Sequence, residues 1–180
     1  MKIGFIGLGI MGSAMSENLV KKSGCPVAVY DIDLQAVSSL VQAGAEALSS
    51  SREAAQSCDV IFSMVPKTEH VEAVYRELLP AMRPGQIYVD MSTISPAASA
   101  ALAQRVKEAG AVMLDAPVVK SRPAAIAGKL GIYVGGDQAA YEKVLPLFKC
   151  MGENVIHLGG NGSGRSILPR TGSRMRKWKK

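Results

Sequence analysis

The first twenty residues commit the chain to one kind of turn. Lys2-Ile3-Gly4-Phe5-Ile6 is a short apolar run, Gly7-Leu8-Gly9-Ile10-Met11-Gly12 follows without a gap, and Ser13 to Val20 reads as a helix. A strand, three glycines at G-x-G-x-x-G spacing and a helix form the fingerprint of a dinucleotide-binding βαβ unit. Each glycine has its own mechanical reason. Gly7 permits the tight turn out of the strand, Gly9 lets a diphosphate approach the backbone, and Gly12 lets the helix sit close on the sheet. The helix start then offers N–H groups and a partial positive charge to the phosphates, which makes Leu8, Ile10 and Met11 contact candidates along with the glycines.

Three glycines alone are a weak signal, and the second half of the unit decides. The fold needs a second strand ending in an acid about 20 residues on, to hold the adenosine ribose hydroxyls. Cys25 to Tyr30 supplies that strand and Asp31 ends it. No arginine follows Asp31 directly, where a 2′-phosphate would want one, so NAD is favoured over NADP, with Arg52 or a lysine left as a conceivable 2′-phosphate partner.

Beyond Asp31 the chain keeps alternating. Helical patterns run over 34–44, 50–57, 68–79, 95–110 and 137–151, with Ser50, Thr68, Ser95 and Asp137 as N-cap candidates and Pro96 at a first helical position. Strands are predicted at 45–48, 59–64, 86–90, 111–115, 130–134 and 155–158, and residues 116–128 as a polar loop with one helical turn. Unbroken apolar runs such as Asp59-Val60-Ile61-Phe62-Ser63-Met64 suit strands buried on both faces. The expected fold is therefore α/β, a Rossmann-like, doubly wound and mostly parallel sheet. Ligands in such sheets bind beyond the carboxyl ends of the strands. Those ends carry Gly7 to Gly12, Asp31, Met64-Val65-Pro66, Ser92-Thr93 and Asp115 to Arg122, which should converge on one cleft.

Charge and composition narrow the partners. The net charge of +6 is concentrated at the end: residues 165–180 hold seven basic residues and no acid. Without those seven, 14 of the 21 Lys and Arg remain against 15 acids, so residues 1–164 are close to neutral. A nucleic-acid reader would show a basic face on the domain itself, and none is expected here. No apolar run approaches the roughly 18 residues that span a bilayer. Cys25, Cys58 and Cys150 are odd in number and lack C-x-x-C spacing, which suits buried thiols and a cytoplasmic setting. His70 and His157 have no second ligand at helical spacing, so no metal site is expected.

Four blocks together resemble the 3-hydroxyisobutyrate dehydrogenase family of β-hydroxyacid dehydrogenases. They are Phe5 to Gly12 with Met15 and Asn18, Ser63-Met64-Val65-Pro66, Asp90 to Pro96, and Asp115-Ala116-Pro117-Val118, and the likeness runs over residues 1–164. The resemblance implies hydride transfer between NAD and a small 3-hydroxy acid or its semialdehyde, in an enzyme that is usually a homo-oligomer. It also implies that Val65 and Pro66 line the cofactor cleft and that Thr93 faces the nicotinamide side. His70 lies near a position that can touch the cofactor, and is otherwise a solvated residue of a first helical turn. The alternative function is a dinucleotide-binding module without catalysis.

Two departures from the family pattern stand out. Many members have Ser-Gly-Gly after Asp-Ala-Pro-Val, and this chain has Val119-Lys120-Ser121-Arg122, more similar to the sulfolactaldehyde reductase variant. Lys120, Ser121 and Arg122 are thus substrate-binding candidates for a small anionic substrate, with two solvated loop charges as the competing reading. The family's acid/base lysine comes four residues after a Gly-x-Gly. Here Gly162-Ser163-Gly164 leads to Leu168, which cannot transfer a proton, and no catalytic residue is assigned. The family then continues into a large all-helical domain, which is expected to be missing here. The expected organisation is a nucleotide-binding domain at 1–164 and a basic, disordered or aberrant tail at 165–180, left by a frame shift or cut near codon 165. A genuine basic extension is the alternative, and translating the other frames past codon 164 separates the two.

Overall fold

The computed structural model describes residues 1–166. Its first strand, β1 (Ile3–Ile6), is buried along its whole length, as a strand covered on both faces must be. Helix α1 (Ile10–Lys22) starts three residues earlier than the sequence pattern suggested, so Gly12 sits inside its first turn. Then follow β2 (Val27–Tyr30), α2 (Leu34–Gln42), the two-residue β3 (Glu46–Ala47), α3 (Ser51–Ser57), β4 (Val60–Ser63) and α4 (Thr68–Leu78). The main sheet is completed by β5 (Ile87–Asp90), α5 (Pro96–Glu108) and β6 (Val112–Asp115). Its order is β3-β2-β1-β4-β5-β6 with every pair parallel. The strand order reverses between β1 and β4, and such a switch point opens a crevice at the carboxyl ends.

Helix starts follow local chemistry. The side chains of Asp33, Ser50, Ser95 and Asp137 each accept a first-turn N–H, which satisfies one donor the helix cannot pair internally. Thr68 does not cap as expected: it is the first helical residue, behind Lys67.

The last third departs from a single sheet. Residues 118–119 form β7 (Val118–Val119) inside the stretch expected to be loop, followed by α6 (Arg122–Ala127). Strands β8 (Leu130–Val134) and β9 (Gly152–His157), joined by α7 (Gln138–Met151), build a second sheet of order β7-β8-β9 instead of extending the first. β8 is antiparallel to β7, and an antiparallel Asp115–Gly135 bridge ties the two sheets. The chain from β6 through β7 therefore runs on in one direction and bends between sheets. A short helix, α8 (Ser163–Ser166), closes the described part.

Side chains alternate across the main sheet. Phe5, Val29, Phe62, Val89 and Leu114 pack with α1 and α7, and Ile6, Ala28, Ile61, Tyr88 and Met113 pack with α3, α4 and α5. On the first face Phe62 lies 5.9 Å, ring centroid to ring centroid, from Phe5 and meets Phe148 edge-on at 6.0 Å. Phe62 is fully buried, so no solvent can fill the space it vacates. Phe62→Ala is expected to cost about 3–5 kcal/mol of unfolding free energy, read as a lower urea midpoint with an unchanged slope.

Candidate functional site

The turn after β1 is shaped by two glycines that the backbone cannot replace. Gly7 has φ +94°, and a Cβ there would lie 2.2 Å from the Met64 carbonyl oxygen. A Cβ on Gly12 would lie 1.9 Å from the Gly7 carbonyl oxygen. Gly9 differs: its φ is −63° and a Cβ would meet nothing within 4 Å. The fold demands the first and third glycines, whereas the middle one faces open space at the start of α1. Gly9 is also the N-cap residue and has no side chain to occupy the helix end, so that end remains open to an anion.

Asp31 fixes the same turn from the β2 side. Its Oδ2 accepts the Leu8 N–H at 2.5 Å and its Oδ1 accepts the Asp33 N–H at 2.8 Å. The carboxylate that the sequence assigns to a sugar diol is thus already held rigidly, next to the glycine turn.

A cleft of about 660 Å³ opens there. Gly7, Gly9, Ile10, Met11, Gly12, Asp31, Val65 and Pro66 line it, as the strand-end argument requires. Leu8 does not: its side chain is buried in the core and only its N–H serves the turn, through Asp31. Sequence reasoning missed several lining groups, namely Ile32, Ser51, and the α4 residues Ala73, Val74 and Glu77. Their only available signal was position, beside Asp31 or at a helix start facing strand ends. His70, left between two readings, is exposed and lines the cleft. Ile10 and Ile32 are the most exposed large apolar residues flanking it, 72% and 90%, and offer flat apolar walls. Charged or imidazole groups among the lining are Asp31, Glu77 and His70.

Beyond β4 and β5 lies a second cluster. Val65 N–H donates to Ser92 Oγ at 3.0 Å, which ties the β4 exit to the β5 exit. Asp90 Oδ1 accepts Ser63 Oγ at 3.0 Å and the Ser92 N–H at 3.2 Å. Its Oδ2 accepts Arg165 Nη2 at 2.5 Å, with both side chains essentially inaccessible to solvent. Burial pushes the Asp90 carboxyl up from its ordinary value, opposed by the Arg165 guanidinium and the Ser92 and Ser63 hydrogen bonds. Arg165, assigned by sequence to the tail, is therefore part of the domain interior, and the expected 164/165 boundary falls inside α8. The other six basic residues of that stretch lie outside the described residues. Thr93 is exposed at this end and is not among the residues lining the cleft.

The candidates Lys120, Ser121 and Arg122 are exposed between β7 and α6 and do not line the cleft either. Lys120 has φ +92°, the one non-glycine residue in the left-handed region among the described residues. Its Nζ pairs with Glu153 and donates to the Lys129 carbonyl at 2.8 Å. No described helix is long and apolar enough to cross a membrane.

Comparison with known proteins agrees with this geometry. The sequence profile described as the NAD binding domain of 6-phosphogluconate dehydrogenase matches residues 2–159. An NAD-dependent L-serine dehydrogenase of Pseudomonas aeruginosa is 44% identical over 91% of this chain and 56% of its own length. A 2-hydroxy-3-oxopropionate reductase of Escherichia coli is 42% identical over 92% of this chain and 57% of its own. The solved structure of Mycobacterium tuberculosis 3-hydroxyisobutyrate dehydrogenase with L-serine superimposes with a TM-score of 0.88 at 34% identity, over 92% of this chain and 56% of that one. The chain thus spans little more than half the length of these relatives. With the glycine turn, the β2 carboxylate and the strand-end cleft in place, it belongs to the NAD-binding domain family typified by 6-phosphogluconate dehydrogenase, alongside the 3-hydroxyisobutyrate dehydrogenases and related hydroxyacid dehydrogenases.

Proposed function

We propose that this chain binds NAD in preference to NADP and forms the nucleotide half of an oxidoreductase that moves a hydride between nicotinamide and a small 3-hydroxy acid or semialdehyde. The observation that carries the reading is the space above Gly9. It is a glycine the fold does not need, at an uncapped helix start, beside a carboxylate on the next strand. A dinucleotide accounts for all three features, because its diphosphate needs close backbone approach and N–H donors and its adenosine ribose needs a neighbouring acceptor for the diol. The cofactor carries the hydride chemistry, and the protein's share is orientation and electrostatics.

The substrate reading is a small anion met by Ser121 and Arg122, which are exposed at the head of α6, with Lys120 joining only by exchanging Glu153 for the ligand. The names of the relatives, hydroxy-acid and serine dehydrogenases and a 3-oxo acid reductase, support the substrate class. In the sequence, the position at which the resemblance expects a lysine is Leu168, which lies outside the described residues; a leucine cannot supply the proton transfer to the substrate oxygen, commonly worth ~10²–10⁴-fold. A purely nucleotide-binding role for this chain is the second reading, and that leucine is what favours it. In NADH oxidation assays with a panel of semialdehydes, this chain is expected to turn over at a very low rate. Brisk absorbance loss would defeat the lysine argument.

Binding separates the parts. Gly9→Ala is expected to leave thermal stability unchanged, since its Cβ meets no atom, while weakening NADH binding more than about tenfold by crowding the diphosphate. Equal NADH affinity in calorimetry would remove the diphosphate from this turn. Asp31→Ala is expected to erase the preference for NAD over NADP. Without any cofactor it should also cost about 1–3 kcal/mol, because the Leu8 N–H loses its acceptor. Tighter NADP than NAD binding by the unaltered chain would overturn the assignment of Asp31.

A further inference from the structure

Arg165 does more than neutralise Asp90. One of its terminal nitrogens holds the carboxylate, and the other, Nη1, donates to the Ser92 carbonyl and, at 3.5 Å, to the Ile94 carbonyl. These two carbonyls flank Thr93, so a single planar fork grips the backbone on both sides of it. Through Ser92, whose Oγ accepts the Val65 N–H, the grip extends to the Val65-Pro66 wall of the cleft. The exits of β4 and β5 are thus organised by one guanidinium brought from α8, 75 residues away in sequence from Asp90.

Topology says which part of a dinucleotide these exits would meet. Asp31 stands at the end of β2, on one side of β1, and in the dinucleotide reading it takes the adenosine end. The diphosphate crosses at α1. The other half must then extend over the opposite side of β1, where β4 and β5 end.

We propose that Arg165 is a positioning residue for the nicotinamide half of the cofactor: it fixes the Ser92-Thr93-Ile94 segment and the Val65 turn without touching the ligand. The proposal rests on the dinucleotide reading above and assigns a separate anchor to each half of the molecule, Asp31 to one and Arg165 to the other. Arg165→Lys is the informative change. A lysine keeps a charge for Asp90, but its single ammonium cannot span the carboxylate and the two carbonyls in a fixed plane.

The test titrates the full chain with NADH and with ADP-ribose, which lacks the nicotinamide. The unaltered chain is expected to bind NADH more tightly than ADP-ribose. Arg165→Lys should weaken NADH about tenfold, as loss of a charge-assisted bond would, and leave ADP-ribose within about twofold. Adding Thr93→Ala to Arg165→Lys should then cost little more, since both changes act on the same segment. If Arg165→Lys does not fold, the paired change Asp90→Asn with Arg165→Met removes both charges together and reads the same two affinities. Equal weakening of both ligands would make Arg165 merely structural, and unchanged NADH affinity would also sink the proposal. If the unaltered chain binds both ligands equally, the anchor idea fails while the dinucleotide reading stands. If it binds neither, the dinucleotide reading itself fails.

Discussion

Helix α1 can reach the end of β1 only because Gly12 has no side chain. Its Cα faces the Gly7 carbonyl so closely that a methyl group would overlap the oxygen. The approach aims the first turn of α1 at the strand ends and fixes where its unpaired N–H groups point. Gly7 adds the second constraint, since its left-handed backbone sits against the Met64 carbonyl at the end of β4. The three backbones that meet there, from β1, α1 and β4, set the floor of the cleft before any ligand is considered. A cavity at this place follows from close packing and does not have to be held open.

The sequence carried the fold's first half almost intact because its elements are long or strongly patterned. Period-2 burial cannot be seen in β4, yet an apolar run bounded by Asp59 and Pro66 needs no period to read as a central strand. The second sheet was not legible, since apolar strand patterns such as Leu130 to Val134 say that a strand is buried and not which sheet buries it. β7 is two residues long, too short for any pattern, and exists because β6 simply continues past Asp115 to pair with β8. Thr68 shows the limit of capping rules: a residue with the right hydroxyl yields to Lys67 when the chain turns one residue earlier.

The site divides along the same line. Glycines with fixed spacing and a strand-end acid are local in sequence, and eight of the ten cofactor candidates line the cleft. Leu8 shows that a motif position can act through its backbone alone. The α4 residues and Ile32 carry no motif, because lining a cleft with apolar atoms asks only for position. Arg165 was hidden for a different reason. In a stretch with seven basic residues in sixteen, nothing local marks Arg165 as a buried one, and only its partner at the end of β5 does.

That inward turn has a physical cost that geometry must justify. A buried carboxylate and guanidinium recover little net stability, since desolvation offsets most of their attraction. An apolar pair of the same size would hold α8 to the sheet as well. It could not also bind two peptide carbonyls and an amide on either side of a single exposed threonine. What the charged pair adds is direction: Asp90 takes the Ser92 N–H, and Arg165 takes the Ser92 and Ile94 carbonyls, so the backbone is tied on both sides of Thr93. Asp31 does the equivalent at the other end by taking the Leu8 and Asp33 amides. The cleft is thus bracketed by two carboxylates that act on backbone. Asp31, half-buried at the edge of the cleft, can serve a ligand as well, and the fully buried Asp90 needs a cation to do its work.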